Sequence, residues 1–280
     1  MPKVNVSIPV YNGGDFLEES LECLRAQTYE DFQVNVFNNA STDDTRIIAE
    51  RFADRDKRFR VFTGAETVPP LTNFRNSLAH ADCDYFAWRA HDDLSAPTFL
   101  DHLVRLLDEN PRASLAACEV RSYDEAKDRW TAFPAPRIPA SRVGAALTLM
   151  FRSHASWIYG LFRRERLLQC HGAVLAGLPG RLMATDHATM FPMLISGEVA
   201  VTNETYFIQR VMKRPPRDRV INSAERWDFY KAFFQYFQEQ ADQSDLDALT
   251  RAVVKVAIIG YTHRRLYRLT QIFRHKLLGR

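Results

Sequence analysis

Cysteine is scarce in this 280-residue sequence. Cys23, Cys83, Cys118 and Cys170 stand far apart without a Cys-x-x-Cys pair. That spacing excludes a zinc-finger pattern and the dense disulfide framework of small secreted domains, and reduced thiols are expected. Gly-x-Gly-x-x-Gly and Gly-Lys-Ser/Thr are both absent, and after Gly14 the next glycine is Gly64. Neither a dinucleotide fingerprint nor a P-loop is therefore encoded. No basic start and apolar stretch follows Met1, so no signal peptide is read. The apolar run Ala252 to Tyr261 is broken by Lys255 and is shorter than the roughly 20 residues that span a bilayer. A cytoplasmic protein with nothing crossing the membrane is expected. Lys plus Arg number 37 against 34 Asp plus Glu, so the charge carries no nucleic-acid footprint and no such partner is expected.

What is present is a sizeable core, with 46% hydrophobic and 25% charged residues. Residues 4–10 form an apolar run ending in Pro9-Val10-Tyr11-Asn12-Gly13-Gly14, and Phe16, Leu17, Leu21 and Leu24 then follow at helical spacing. The unit repeats with a strand over Phe32 to Phe37, a polar loop Asn38 to Asp44 and a helix over Thr45 to Phe52. Arg60 to Phe62 reads as a third strand, Thr72 to Ala81 as a helix, and Tyr85 to Trp88 as a buried strand running into Ala90-His91-Asp92-Asp93. Repeated βα units predict an α/β fold around a mostly parallel, Rossmann-like sheet, whose carboxyl edge collects the polar loops. Pro97 to Glu109 reads as an amphipathic helix and Ser114 to Val120 as a strand. The stretch Ser122 to Ser141 is charged and Pro-rich, which suggests a seam near residue 121. Farther on, Ala145 to Phe151, Arg164 to Leu168 and Asp186 to Ile195 read as helices, and Val199 to Val201 and Thr205 to Val211 as strands. The last 50 or so residues read as helical throughout. The expected divisions are 1–120, 121–215 and 216–280.

Two features carry chemistry on their own. The loop Tyr11-Asn12-Gly13-Gly14 lies between a strand and a helix, either as a phosphate cradle of backbone N–H groups or as an ordinary glycine turn. Asp92 and Asp93 emerge together at the end of an apolar strand. Such a pair suits a hard divalent cation, Mn²⁺ or Mg²⁺, shared with substrate phosphate oxygens; the alternative is that Asp93 caps the next helix.

Four blocks then align in order: Ile8-Pro9-Val10-Tyr11-Asn12, Asn38 to Thr45, Asn73-Phe74-Arg75-Asn76, and Tyr85 to Asp93. Together they resemble the signature of family 2 glycosyltransferases of the GT-A fold, most closely over residues 4–120. The resemblance implies a GT-A domain with a carboxyl-terminal helical extension, in which residues 1–120 bind a nucleotide sugar and residues 121–215 carry the acceptor and the base. It implies nucleotide contacts from Pro9, Tyr11, Asn38, Asn39, Arg75 and Asp92. Where the family reads uracil with an acidic residue, this chain has Asn38 and Asn39, and an amide both donates and accepts. UDP is the first expectation, with thymine and guanine nucleotides open. The family's Asp-x-Asp-Asp begins here with Ala90, so metal binding falls to Asp92 and Asp93.

By the same resemblance, Asp186 in Ala184-Thr185-Asp186-His187 is the candidate catalytic base of an inverting transfer; a helix cap is the competing role. Trp157 and Tyr159 are candidates for an acceptor wall, with core packing the stronger alternative. Arg210 or Lys213 is a candidate phosphate partner in place of the late histidine that many relatives carry. No acidic residue occurs from Ala248 to Arg280, where basic and apolar residues interleave. That pattern suits a helix lying on an anionic membrane, at the inner face of the cytoplasmic membrane, or one packed on the catalytic domain. The implied activity is transfer from a nucleoside diphosphate sugar to a glycan or lipid-linked acceptor, in a setting such as bacterial lipopolysaccharide or surface polysaccharide assembly. A nucleotidyltransferase and a non-catalytic sugar-nucleotide binder are the rivals.

Overall fold

The computed structural model describes residues 2–178, 184–212 and 223–266. The chain begins with β1 (Val4–Val10), α1 (Gly14–Arg25), β2 (Phe32–Asn38), α2 (Thr45–Arg55), β3 (Phe59–Thr63), α3 (Pro70–His80) and β4 (Tyr85–Trp88). It continues with β5 (Leu94–Ser95), α4 (Phe99–Glu109), β6 (Leu115–Asp124), β7 (Arg129–Phe133), α5 (Arg142–Arg152), a 3-10 turn (Ala155–Tyr159), β8 (Leu161–Arg163) and α6 (Arg164–Gly177). The described elements end with α7 (Thr185–Ser196), β9 (Val199–Val211), α8 (Ser223–Gln243) and α9 (Ala248–Arg265).

The strands form one sheet in the order β3-β2-β1-β4-β8-β6-β9-β5, with β7 paired to β6. The β3-β2-β1-β4 half is parallel, as the βα repeats predict. β8, β6 and β7 join antiparallel, and β5 lies antiparallel to β9. All seven residues of β1 and all four of β4 are buried, as expected of parallel strands covered on both faces. Each fully buried Ile, Leu or Phe of this layer contributes about 1.5–3 kcal/mol over exposure.

Pro9 sits inside β1 without breaking the ladder. Ser7 accepts a bond from the Arg89 N–H, and pairing with β4 stops at Ser7 opposite Trp88. Residues 7 and 9 face the same neighbour, so the N–H that proline lacks falls where the strands have already parted. At that fork, between β1 and β4, the carboxyl edge opens.

The chain divides into two compact units. One comprises 1–135, 156–169 and 200–212; the other comprises 136–155, 170–199 and 213–280. These are not the contiguous thirds read from composition, because the strands β8 and β9 return to the first unit after helical excursions into the second. Three strands escape the sequence patterns. β5 and β8 are two and three residues long, and β7 is an exposed edge inside the stretch read as a loose seam. The two strands read over 199–211 are one, because Asn203 bridges its exposed middle to the backbone N–H and C=O of Ala135.

The second unit is helical. Its core gathers Met150, Phe191, Phe233, Phe237, Ile258 and Tyr261, contributed by α5, α7, α8 and α9. This corrects the reading of residues 248–280 as a helix free to lie on a membrane: over the described part, Val254, Ile258 and Tyr261 are buried in protein. A different stripe of α9, Leu249, Val256 and Ile259, is exposed. Residues 267–280 and Lys213 lie outside the described residues. No helix among the described residues is long and apolar enough to cross a membrane.

Candidate active site

The loops after β1, β2 and β4 are tied together at the carboxyl edge by side chains. Asn12 adopts positive φ; its N–H donates to Ser41 Oγ at 3.0 Å and its Oδ1 accepts from Thr42 N–H at 2.9 Å. Gly13 N–H donates to Thr45 Oγ1 at 2.9 Å, and Gly14 N–H donates to Asp43 Oδ2 at 2.9 Å. These bonds correct the idea of a phosphate cradle, since the N–H groups of residues 12–14 are already used between loops. Gly13 is required for another reason: a Cβ there would lie 2.6 Å from His91 Cδ2 and from Val10 Cγ2. His91 therefore packs its ring on glycine and joins the β4 loop to the β1 loop.

The two asparagines have different fates. Both ends of the Asn39 amide are taken by Val68, donating to its carbonyl at 2.8 Å and accepting from its N–H at 2.9 Å. Asn39 thus shapes the loop between β3 and α3, with one of its two amide N–H groups and its Oδ1 engaged by Val68. Asn38 Oδ1 accepts from Ser41 N–H at 3.1 Å, while its Nδ2 is buried without a hydrogen-bond partner. A buried donor left unmet costs about 1–3 kcal/mol, so it marks a place where a ligand acceptor is favoured.

Tyr11 stands just after β1 and is 49% exposed. Pro9 is buried within β1 and offers no open face, which removes it from the nucleotide contacts. Arg75 lies exposed on α3.

Asp92 and Asp93 are both buried where β4 ends. Asp93 Oδ1 accepts from the Arg210 main-chain N–H at 2.9 Å. Burial, and then the neighbouring Asp92 charge, push the Asp93 carboxyl up to about 7, against the pull of that N–H and of the Arg89 and Arg210 charges. No side-chain donor among the described residues reaches Asp92. The Arg210 guanidinium pairs with Glu19 at 2.7 Å and with Glu125 at 3.4 Å, so its charge is spent on protein carboxylates and not held for phosphate.

Behind the acidic pair lies a residue that sequence reasoning missed. Arg89 is 1% exposed; its Nη2 donates to Ser95 Oγ at 2.9 Å, and its Cζ sits 5.2 Å and 5.0 Å from the Phe99 and Phe207 rings. Its Nη1 has no hydrogen-bond partner. Two aromatic faces and the nearby acidic charge offset part of its desolvation. The available signal was an arginine closing the apolar run Tyr85-Phe86-Ala87-Trp88 just before two aspartates.

The buried like-charged pair fits a divalent cation, which would relieve the repulsion that raises Asp93. No group of three or more His, Cys, Asp or Glu with metal-holding geometry occurs among the described residues. The remaining ligands would be diphosphate oxygens and water, the habit of Mg²⁺ and Mn²⁺.

Trp157 is core and not an acceptor wall: it is 2% exposed and its Nε1 donates to the Cys118 carbonyl at 3.0 Å. Tyr159 stacks on Phe207 with ring centroids 5.6 Å apart. The Trp157 ring and one face of Tyr159 are thus occupied by protein, while Tyr159 is half-buried.

Asp186 belongs to the second unit, in the first turn of α7. Ala184 before it holds left-handed backbone at φ 59° without being glycine, a strain of the kind that clusters at functional sites. Asp186 Oδ1 accepts from the His187 N–H at 2.7 Å. Burial pushes its carboxyl above the usual range, opposed by that N–H and by the Arg265 charge.

Comparisons with known proteins give a family and a fold. A family model described as Glycosyl transferase family 2 matches residues 5–168. An uncharacterised glycosyltransferase of Rickettsia typhi is 32% identical over 108 residues, covering 39% of this chain and 33% of that one. The match thus spans about a third of that curated relative. The crystal structure of S. aureus TarS 1–349 in complex with UDP-GlcNAc aligns with a TM-score of 0.67 at 17% identity, over 94% of this chain and 73% of that chain. A mannosyltransferase of Pyrobaculum calidifontis in complex with GDP-Man and Mn²⁺ aligns at 0.59 and 18% identity, over 94% and 70%. These likenesses establish a GT-A fold. The family match runs from β1 through the knitted loops and the acidic pair into α6, and the chain belongs to glycosyl transferase family 2.

Proposed function

We propose that this protein moves a sugar from a nucleoside diphosphate sugar, a UDP-sugar first among them, to a glycan or lipid-linked acceptor, with inversion at the anomeric carbon. The observation that carries the reading is the buried pair Asp92 and Asp93 at the fork between β1 and β4. Asp92 and Asp93 would hold a divalent ion, Mn²⁺ or Mg²⁺, which when bound supplies Lewis-acid stabilisation of the departing diphosphate. The exposed Tyr11 ring offers a face for the base, and the unpartnered Nδ2 of Asn38 offers a donor to a base carbonyl. Uracil and guanine both carry such a carbonyl, and the two solved relatives bind UDP-GlcNAc and GDP-Man. Arg75 is retained as an exposed partner for phosphate oxygens. Asp186 takes the proton of the acceptor hydroxyl as that oxygen attacks the anomeric carbon and the nucleoside diphosphate leaves.

The test is release of nucleoside diphosphate from a panel of sugar nucleotides with Mn²⁺ or Mg²⁺. Asp92→Asn, Asp93→Asn and Asp186→Asn are each expected to abolish transfer while leaving the fold intact. Near-wild-type turnover in all three overturns the mechanism. Release of pyrophosphate would point to nucleotidyl transfer instead.

The setting we propose is bacterial lipopolysaccharide or surface polysaccharide assembly at the inner face of the cytoplasmic membrane. Because Val254, Ile258 and Tyr261 are core residues, membrane contact falls to the exposed stripe Leu249, Val256 and Ile259. Replacing these three with glutamate is expected to release the protein from anionic liposomes; unchanged binding overturns the membrane setting.

A further inference from the structure

α9 was read from sequence as an appendage, but its last turn reaches the surroundings of Asp186. Arg265 Nη2 donates to the Met150 carbonyl at 3.0 Å, the Ser153 carbonyl at 2.7 Å and Ser153 Oγ at 3.1 Å. The two carbonyls belong to the end of α5, where a helix leaves acceptors unmet, so one nitrogen of Arg265 serves as a helix cap. Capping does not account for the rest of the guanidinium. Its Nε is buried without a hydrogen-bond partner, and its Cζ lies 5.6 Å from the Tyr261 ring. Tyr261 in turn meets the His187 ring edge to face at 6.2 Å, and His187 follows Asp186 directly.

The groups around Asp186 leave one cation to balance it. His187 on α7 is held neutral, well below its usual range, by burial and then by Arg265 and His154. His154, just beyond α5, is pushed down to about 4 by burial and by Arg265. On α9, burial pushes the Tyr261 phenol up, so it stays neutral. From α8, the Tyr236 hydroxyl sits 3.5 Å from the Ala188 carbonyl and brings no charge. Arg264 is exposed and adjoins Arg265. Among the described residues, the cation whose charge reaches the Asp186 carboxyl is Arg265.

We propose that Arg265 is a positioning residue for Asp186: it fixes the end of α5 with one nitrogen and turns its charge toward the start of α7, so that the carboxyl-terminal helix completes the base site. The inference rests on the reading of Asp186 as the base. In a site that burial makes hostile to charge, a fixed cation adds to the His187 N–H bond in keeping the carboxylate available to accept a proton.

The test measures the carboxyl directly. Side-chain ¹³C NMR on the full chain, with the Asp186 signal identified by its loss in Asp186→Asn, gives the titration midpoint without substrate. Arg265→Gln keeps an amide donor for the α5 carbonyls and removes the charge. It is expected to raise the Asp186 midpoint by more than a few tenths of a unit, because loss of an opposite charge disfavours the carboxylate. A midpoint unchanged within a few tenths of a unit overturns the proposal and leaves Arg265 as a helix cap. Should Arg265→Gln fail to fold, Arg265→Lys decides: with the charge kept, a midpoint near wild type supports the proposal and one displaced by about a unit overturns it. Full transfer activity in Asp186→Asn would overturn the base reading instead, and the NMR result stands apart from that outcome.

Discussion

The Arg210 main-chain N–H holds Asp93 Oδ1 at 2.9 Å, joining residues 117 apart in sequence and anchoring β9 to the acidic end of β4. The contact uses backbone, so it constrains the strand's path and not its side-chain identity. Arg210→Ala should therefore leave donor turnover near the wild-type level. The lost pairs with Glu19 and Glu125 are surface pairs worth about 1 kcal/mol or less. A collapse of turnover with stability intact would return Arg210 to the role of phosphate partner.

Gly13→Ala places a methyl against His91 and Val10 at 2.6 Å. Overpacking of this kind costs about 1–3 kcal/mol, and here it also displaces the loop that carries Asp92 and Asp93. The expected result is a loss of donor turnover larger than the fall in melting temperature suggests. Adding His91→Ala should recover only part of it, because Val10 remains in the way; full recovery would show that His91 alone sets the requirement.

Trp157→Phe keeps an aromatic ring but shrinks it in the core, and deletes its bond to the Cys118 carbonyl. Leaving that buried carbonyl unmet should cost about 1–3 kcal/mol in denaturant unfolding, with acceptor KM unchanged. A raised KM at unchanged stability would restore Trp157 to the acceptor wall.

His154 and His187 set a pH dependence of stability. Both are held below their unfolded range by burial, His154 at about 4. Between about pH 6.5 and that value the unfolded chain binds protons that the native chain refuses, so stability falls as pH falls, by about 1.4 kcal/mol per unit for each histidine. Asp93 and Asp186, held above their unfolded range, act with the opposite sign, so the histidine contribution is read by difference: in urea unfolding His154→Gln should lose less stability than wild type between pH 7 and pH 5. An unchanged slope would mean that His154 titrates in the native chain.

The parallel half of the sheet was legible because β1, β2 and β4 are buried on both faces and appear as unbroken apolar runs. β5 and β8 have too few residues to carry a period, and β7 shows solvent-facing Arg129 and Trp130 where a pattern would need alternation. At the site, the acidic pair stood out because two adjacent carboxylates after an apolar strand are unusual. Arg89 did not, since its meaning depends on Phe99 and Phe207, which arrive from other parts of the chain. Asn39 stands out for its chemistry, but its amide is bridged to Val68, a contact set by loop geometry. The apolar stretch of α9 was visible, whereas the assignment of its faces needed α5, α7 and α8 in place.

The chain changes unit at 135/136, 155/156, 169/170, 199/200 and 212/213. No single cut yields either unit as one uninterrupted piece of gene. Shuffling the helical portion between relatives would need three grafts made together, so change within it is expected to proceed by point replacement within α5, α7 and α9, with wholesale exchange of modules disfavoured.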